Sequence, residues 1–302
     1  MSTIRFALFG NKYQKEKTEA IRQVVATLMK RDAQITVDED YYRFLITIPG
    51  FPGTPHSPEI PGQPVITTFR DNDFTADFAL SMGGDGTLLK TASLIRDRQI
   101  PIVGVNMGRL GFLADADVND FEQTLDALYC GDYSTDDRAL IRVETDGEPL
   151  DVYECALNDV AILKRDTASM ISIRASINGE YLTTYQADGL IVSTPTGSTA
   201  YSMSNGGPII APRTGVMLMT AVAPHSLNVR PIVLPDTSLI ELTVSSRSHK
   251  FLVAVDGRSC KLPEGTTLRL TRAPYTVSVV KHRGARFFDT LREKLMWGAD
   301  LR

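Results

Sequence analysis

Cysteine is scarce in this chain: Cys130, Cys155 and Cys260 are the only three, far apart and without CxxC spacing. That excludes a disulfide framework and a thiolate zinc site, and it predicts a reducing compartment, the cytoplasm. The four histidines, His56, His225, His249 and His282, show no metal-ligand spacing. Only His225, following Ala223-Pro224, falls in a loop expected near a site. No dense Lys/Arg run occurs and the formal net charge is −4, which excludes a polyanion-binding surface and so nucleic acid as a partner. No stretch approaches the roughly 20 apolar residues of a membrane-spanning helix. Pro, Gly or a charge breaks every candidate, so no membrane partner is expected. The opening Ile4-Arg5-Phe6-Ala7-Leu8-Phe9 is interrupted too soon by Asn11, Lys12 and Lys15 to be a secretory leader, and it reads as a first strand.

What is present is a globular composition: 302 residues, 43% hydrophobic and 23% charged, enough for one or two cores. Ile21, Val24, Val25 and Leu28 recur at helical spacing. A second strand is expected near residues 42 to 48, followed by a Pro/Gly-rich loop over 49 to 64 that is either a flap or a surface insertion. Ala76 to Met82 is a mostly apolar run, broken at Asp77 and Ser81, and reads as a strand buried on both faces of a parallel sheet. It feeds into Gly83-Gly84-Asp85-Gly86-Thr87. Next come a helix with Leu88, Ala92 and Ile95 on one side, a strand over 100 to 105, and a helix with Phe121, Leu125 and Leu128. Alternation of β and α up to about residue 130 predicts an open parallel sheet flanked by helices. From about Leu140 the period becomes two: Ile171, Ile173, Ala175 and Ile177 alternate with polar residues, as do Leu268 with Leu270 and Val277 with Val279. Asn178-Gly179 marks a hairpin. Phe288, Leu291 and Leu295 suit a short terminal helix.

Three segments carry the chemistry. Glycines at a strand end let a phosphate approach the backbone, and the first N–H groups of the next helix face an anion; Gly83, Gly84, Gly86 and Thr87 are the candidate phosphate-binding residues. Asp85 sets that turn apart, because a carboxylate in a phosphate cradle makes sense where a cation or a proton acceptor is wanted. The alternative is that Asp85 caps the following helix. Asp188-Gly189-Leu190-Ile191-Val192-Ser193-Thr194-Pro195-Thr196-Gly197-Ser198-Thr199-Ala200-Tyr201-Ser202 empties a strand into a loop of hydroxyls and small residues, suited to ribose and phosphate oxygens or simply to a turn. Asn158-Asp159 interrupts two apolar runs. The pair offers a donor and acceptors to a purine edge or ribose diol, or else marks a β-bulge or exposed edge.

Together with Asn106-Met107-Gly108-Arg109-Leu110-Gly111-Phe112-Leu113 and Leu291-Arg292-Glu293-Lys294-Leu295, these segments resemble the NAD kinase family in order and spacing over nearly the whole chain. GGDGT alone is shared with diacylglycerol and sphingosine kinases and, loosely, with phosphofructokinases; the 188 to 202 segment is narrower. The resemblance implies a two-domain architecture of α/β plus all-β class. Residues 1–138 would form an α/β domain carrying GGDGT, and 139–280 a β-sandwich-like NAD-binding domain. Residues 281–302 would form a tail packing back on the first domain. It implies phosphoryl transfer from ATP, with Mg²⁺ as cofactor, to the 2′-hydroxyl of the adenosine ribose of NAD, and assembly as a homodimer or homotetramer. Asp85 would be catalytic, as a base or a magnesium-linked carboxylate. Gly86, Lys90, Asn158, Asp159, Asp188, Thr199, Ala200, Tyr201, Ser202, Met203, Ser204 and Ala223 would bind substrate. Two departures from the family pattern stand out: Gln186 where many members carry Arg, and the length of the 49 to 64 loop. The rivals are a GGDGT-type lipid kinase, against which Leu89-Lys90 stands where an Asn-Glu pair belongs, and a non-catalytic NAD(P)-binding regulator, which would have little use for Asp85.

Overall fold

The structure, a computed structural model, describes residues 3–12, 15–51, 66–108, 111–114, 116–166, 169–281 and 286–298. The Pro/Gly-rich loop lies outside the described residues from position 52 onward. Internal contacts divide the chain into one unit of residues 1–137 with 277–302 and another of residues 138–276.

In the first unit β1 (Arg5–Gly10) leads to α1 (Thr18–Lys30), and β2 (Gln34–Asp38) leads straight to α2 (Glu39–Leu45). After these come β3 (Ile66–Phe69), β4 (Phe78–Gly83), α3 (Asp85–Ile95), β5 (Ile102–Asn106), the short β6 (Ala116–Asp117) and α4 (Phe121–Cys130). The sheet runs β5-β4-β1-β2-β3, all parallel. Every residue of β4 is buried, the polar Ser81 among them, as in a strand covered on both faces of a parallel sheet. Ile21, Val24, Val25 and Leu28 of α1 join Phe121, Leu125 and Leu128 of α4 in one core with Phe6, Leu8 and Leu80 of the sheet. Successive strands are laid down outward from β1 on one side and from β4 on the other. The order therefore reverses between β1 and β4, whose carboxyl ends are neighbours, with Gly10 opposite Met82. Ligands of open parallel sheets bind at such a reversal.

One element differs from the sequence reading. Residues 39 to 45 are helical rather than a second strand, and the strand lies earlier, at β2. Tyr41, Phe44, Leu45 and Ile48 fall at helical spacing and are buried, while the Asp38 side chain accepts the Tyr41 N–H at 3.1 Å and caps the helix. The sequence reading expects a strand over 42 to 48, but the cap and the period decide for the helix.

The second unit takes up the chain within β7 (Ser134–Thr145) and continues through β8 (Cys155–Ala156), β9 (Asp159–Lys164), β10 (Ile171–Ile177), β11 (Glu180–Ala187) and β12 (Gly189–Ser193). Then follow α5 (Tyr201–Ser204), β13 (Val216–Val222), β14 (Ile232–Pro235), β15 (Ile240–Ser245), β16 (Lys250–Val255), β17 (Arg258–Pro263) and β18 (Thr267–Lys281). One layer has the order β14-β13-β12-β9-β16-β17; the other carries β11-β10-β15-β18. Ile162, Leu190 and Phe251 from the first layer share a core with Ile173, Leu242 and Leu268 from the second, the inward sets of two alternating sheets. The Asn178-Gly179 hairpin joins β10 to β11, with φ of 53° and 82° at its two turn residues, as a type I′ turn demands. β18 then returns to the first unit, where Val279 pairs in parallel with Ile102.

The chain ends in α6 (Phe287–Leu295), within the first unit. Of the expected stripe only Leu291 is buried, and Phe288 is largely exposed. No described helix is long and apolar enough to cross a membrane.

Candidate functional site

In the first unit the site is built around Asp85. It opens α3, and Gly84 is the cap residue, but the Asp85 side chain makes no bond to its own helix. The capping alternative is therefore not what holds it. Oδ2 accepts the Phe112 N–H at 2.9 Å, and Oδ1 accepts those of Leu113 at 3.0 Å and Ala114 at 3.3 Å. These donors belong to the segment after β5, started by a turn in which Asn106 Oδ1 accepts the Gly108 N–H at 2.8 Å. Arg109 and Leu110 within it lie outside the described residues. The sequence reading treated GGDGT and residues 106 to 113 as separate motifs; the structure joins them through one carboxylate. Lys294 of α6 completes the surroundings, with Nζ 3.5 Å from Oδ2 and 4.4 Å from the centre of the Phe112 ring.

The glycines beside Asp85 face space. Among the described residues a β-carbon on Gly84 or Gly86 would meet nothing within 4 Å, and neither has a positive φ, so the packing of the described residues does not demand glycine at either position. The open side fits a ligand that approaches the backbone closely. At the strand-order reversal lies a cavity of about 740 Å³, lined among others by Lys12, Asp40, Arg43, Gly86, Thr87 and Lys90. The cations there face acids of α2 and its cap: Lys90 Nζ is 3.7 Å from Asp38, and Arg43 lies 3.2 Å from Glu39. Gly10 at the base of the cavity must be glycine, because a β-carbon there would stand 2.0 Å from the buried Tyr41 ring.

In the second unit Asn158-Asp159 sits where β9 begins. Its backbone is clamped from two directions. The Asp256 carboxylate accepts the N–H groups of Leu157 and Asn158, both at 2.8 Å, and of Asp159 at 3.1 Å. On the carbonyl side, Thr194 donates its N–H to the Asn158 oxygen at 2.9 Å and its hydroxyl to the Leu157 oxygen at 2.6 Å. Gly197 is pressed so close that a β-carbon would lie 2.1 Å from the Asn158 carbonyl oxygen. The fixed backbone presents an Asn158 side chain whose Oδ1 is buried and has no partner among the described residues. Such an acceptor costs about 1–3 kcal/mol unless a donor reaches it. Burial and the neighbouring Asp256 push the Asp159 carboxyl up to about 7. Burial raises Asp256 as well, against the opposing pull of its three N–H donors and Arg258.

Asp256 was missed in the sequence. The signal was there: Asp256-Gly257 joins the alternating runs of β16 and β17, and both residues have positive φ, 48° and 79°, the signature of a hairpin turn.

The hydroxyl-rich loop after β12 is less available than its composition suggests. Ser198 and Ser202 are fully buried, Ser198 bonding to the Pro195 carbonyl at 2.7 Å and Ser202 to the Thr220 hydroxyl at 2.8 Å. Thr196 is buried too, and accepts from the Arg138 guanidinium at 3.3 Å. Thr199, Ala200, Tyr201, Met203 and Ser204 reach the surface at least in part. Asp188 pairs with Lys164 at 2.7 Å, and its N–H bonds to the carbonyl of Val222, next to the exposed Ala223 with φ of 45°. Asp188 and Ala223 are thus brought together, in a conformation an alanine rarely adopts.

Comparison with known proteins agrees along the whole chain. Residues 6–133 match the model of the ATP-NAD kinase N-terminal domain and residues 157–282 that of the ATP-NAD kinase C-terminal domain. An NAD kinase of Bacteroides fragilis is 48% identical over 299 residues, 99% of this chain and 100% of that protein. One of Porphyromonas gingivalis is 42% identical over 99% of both. Among solved structures, yeast NADH kinase complexed with NADH superposes with a TM-score of 0.88 at 24% identity, covering 100% of this chain and 90% of that one. An Archaeoglobus fulgidus NAD kinase in complex with ATP gives 0.66 at 24% identity, covering 97% and 99%. The two structures bear on the fold and the sequence relatives on ancestry: this chain belongs to the NAD kinase family of phosphotransferases.

Proposed function

We propose that the protein transfers the γ-phosphoryl group of ATP to the 2′-hydroxyl of the adenosine ribose of NAD, forming NADP and ADP in the cytoplasm. The observation that carries this is the placement of Asp85: a carboxylate fixed by three backbone N–H groups, in a glycine turn whose open side adjoins a cavity edged by lysine and arginine. Names of the relatives supply the substrates; the turn supplies the chemistry.

In this scheme the triphosphate lies along Gly86 and Thr87, with Gly83 and Gly84 beside it, and Lys12, Arg43 and Lys90 offset its charge. Asn158 Oδ1 accepts a donor of the NAD nucleoside, Asp159 and Asp188 accept from ribose hydroxyls, and Thr199, Ala200, Tyr201, Met203 and Ser204 with Ala223 wall the adenosine half, the buried Ser202 supporting them from behind. As the bond from the 2′-oxygen to Pγ forms, the bond from Pγ to the β,γ-bridging oxygen breaks. ADP leaves with that electron pair and Asp85 takes the hydroxyl proton. Backbone N–H groups at the start of α3 are set to stabilise charge on the transferring oxygens.

No group of three or more His, Cys, Asp or Glu side chains among the described residues could hold a metal. Mg²⁺ would accompany the triphosphate here, and Asp85 is the one carboxylate of the turn that would help hold it. Its contribution when bound is to neutralise phosphate charge. Like other members of its family as the sequence suggests, the protein is proposed to work as a homodimer or homotetramer.

Purified protein incubated with NAD, ATP and MgCl₂ forms NADP, read by a coupled NADP-specific dehydrogenase. D85N abolishes turnover while NAD binding, measured by calorimetry, survives. No NADP from the wild type, or full turnover by D85N, overturns the assignment.

A further inference from the structure

The Asp85 carboxylate is held from two remote parts of the chain. Residues 112 to 114 supply its three N–H donors, and Lys294, near the end of the chain, supplies an ammonium 3.5 Å from the same Oδ2 that Phe112 binds. Lys294 also stands over the Phe112 ring, 4.4 Å from its centre. The ring face and the carboxylate both attract the cation, so two contacts fix its head. Leu291, the one buried residue of α6, lies a turn earlier on the helix and brings Lys294 to this place.

Holding the helix is too small a task for this ion pair. Both side chains are about one-third exposed, 31% and 29%, and such a pair is worth roughly 0–1 kcal/mol to the fold. Charge at the turn is the larger matter. A carboxylate beside a phosphate-binding turn repels a triphosphate, and an ammonium against Oδ2 offsets part of that repulsion without occupying the glycine N–H groups. It also leaves the carboxylate one defined orientation, since among the described residues each oxygen then has two partners.

We infer, on the basis of the phosphotransferase activity proposed above, that Lys294 is a positioning residue for the reaction: it fixes Asp85 and offsets its charge so that the triphosphate binds and the carboxylate stays aimed at the acceptor hydroxyl. The residue acts through Asp85, and its loss is felt only while Asp85 is charged.

Two measurements test this on the full-length protein. In steady-state assays K294M lowers kcat roughly tenfold or more, leaves KM for NAD within twofold and the melting temperature within about 2 °C, and K294R recovers kcat to within threefold of wild type. By calorimetry with a non-hydrolysable ATP analogue and Mg²⁺, K294M weakens binding up to about fivefold, the limit set by an exposed pair; in the D85N background the same change has less than a twofold effect, because the partner charge is gone. The inference is overturned if K294M keeps kcat within threefold, if K294R is as impaired as K294M, or if K294M weakens analogue binding equally with and without the Asp85 charge. Should K294M not fold, the pair has a structural role and the inference is overturned as well. Wild-type NADP formation reports on the activity separately: if it is absent, the activity assignment fails and the inference with it; if it is present, the variants judge Lys294 alone.

Discussion

A β-carbon on Gly111 would stand 2.1 Å from Oδ1 of Asp85 and 2.9 Å from its carboxyl carbon. The carboxylate fills the space that any other residue at position 111 would need, so the glycine of one motif is the receptacle for the acid of the other. G111A must displace Asp85 or the segment that binds it. Overpacking of this kind costs about 1–3 kcal/mol, and a misplaced reacting group costs on the order of 100-fold in rate. The expected outcome is a large fall in kcat with a modest fall in stability, read by the coupled assay and by urea denaturation. A variant with wild-type turnover would show that this packing does not set the position of the carboxylate.

Gly86 makes the opposite case. It lies in the first turn of α3 with nothing among the described residues near the place of a β-carbon, so G86A fits the fold and gains helix propensity, worth roughly 0.5–1 kcal/mol. The added methyl projects into the open space next to the turn. Melting temperature is expected to hold or rise while KM for ATP rises roughly tenfold, the cost of a poorly seated phosphate. If KM for ATP is unchanged, the space belongs to solvent and the donor lies elsewhere.

The buried Asp159 predicts a pH dependence of stability. Its carboxyl is raised from 3.8 to about 7 in the folded protein by burial and by Asp256. Between those values the folded state keeps a proton that the unfolded chain has lost, so stability falls as pH rises through this window. The penalty is absent below about pH 4 and complete above about pH 7, amounting to about 4 kcal/mol. D159N removes the titration. Its urea midpoint should match wild type near pH 4 and exceed it increasingly toward pH 7.5, with NAD binding weakened. A difference that does not change with pH would show that Asp159 titrates alike in both states.

Much of this architecture was legible because the relevant signals are local. The buried stripe of α1, the apolar run of β4 and the Asn178-Gly179 turn each follow from period or turn chemistry within a few residues. β2 and α2 were misread because a strand and a helix meet with no intervening loop, and only the Asp38 cap separates them. The site was legible as motifs but not as contacts. Nothing local says that Asp85 is bound by residues 112 to 114 and Lys294, or that Asp256 clamps Asn158, since both depend on long-range pairing. Composition also overstated the loop after β12, where hydroxyls of Ser198 and Ser202 are spent on the fold itself.

β18 gives the chain an unusual order of completion. A ribosome that has reached residue 276 has made the whole of the second unit but not of the first, which still lacks the strand end that pairs with Ile102 and the helix that bears Lys294. The carboxylate at the glycine turn therefore acquires its ammonium partner only after the whole second unit has been made, and a product that stops before Lys294 carries the motif without that cation.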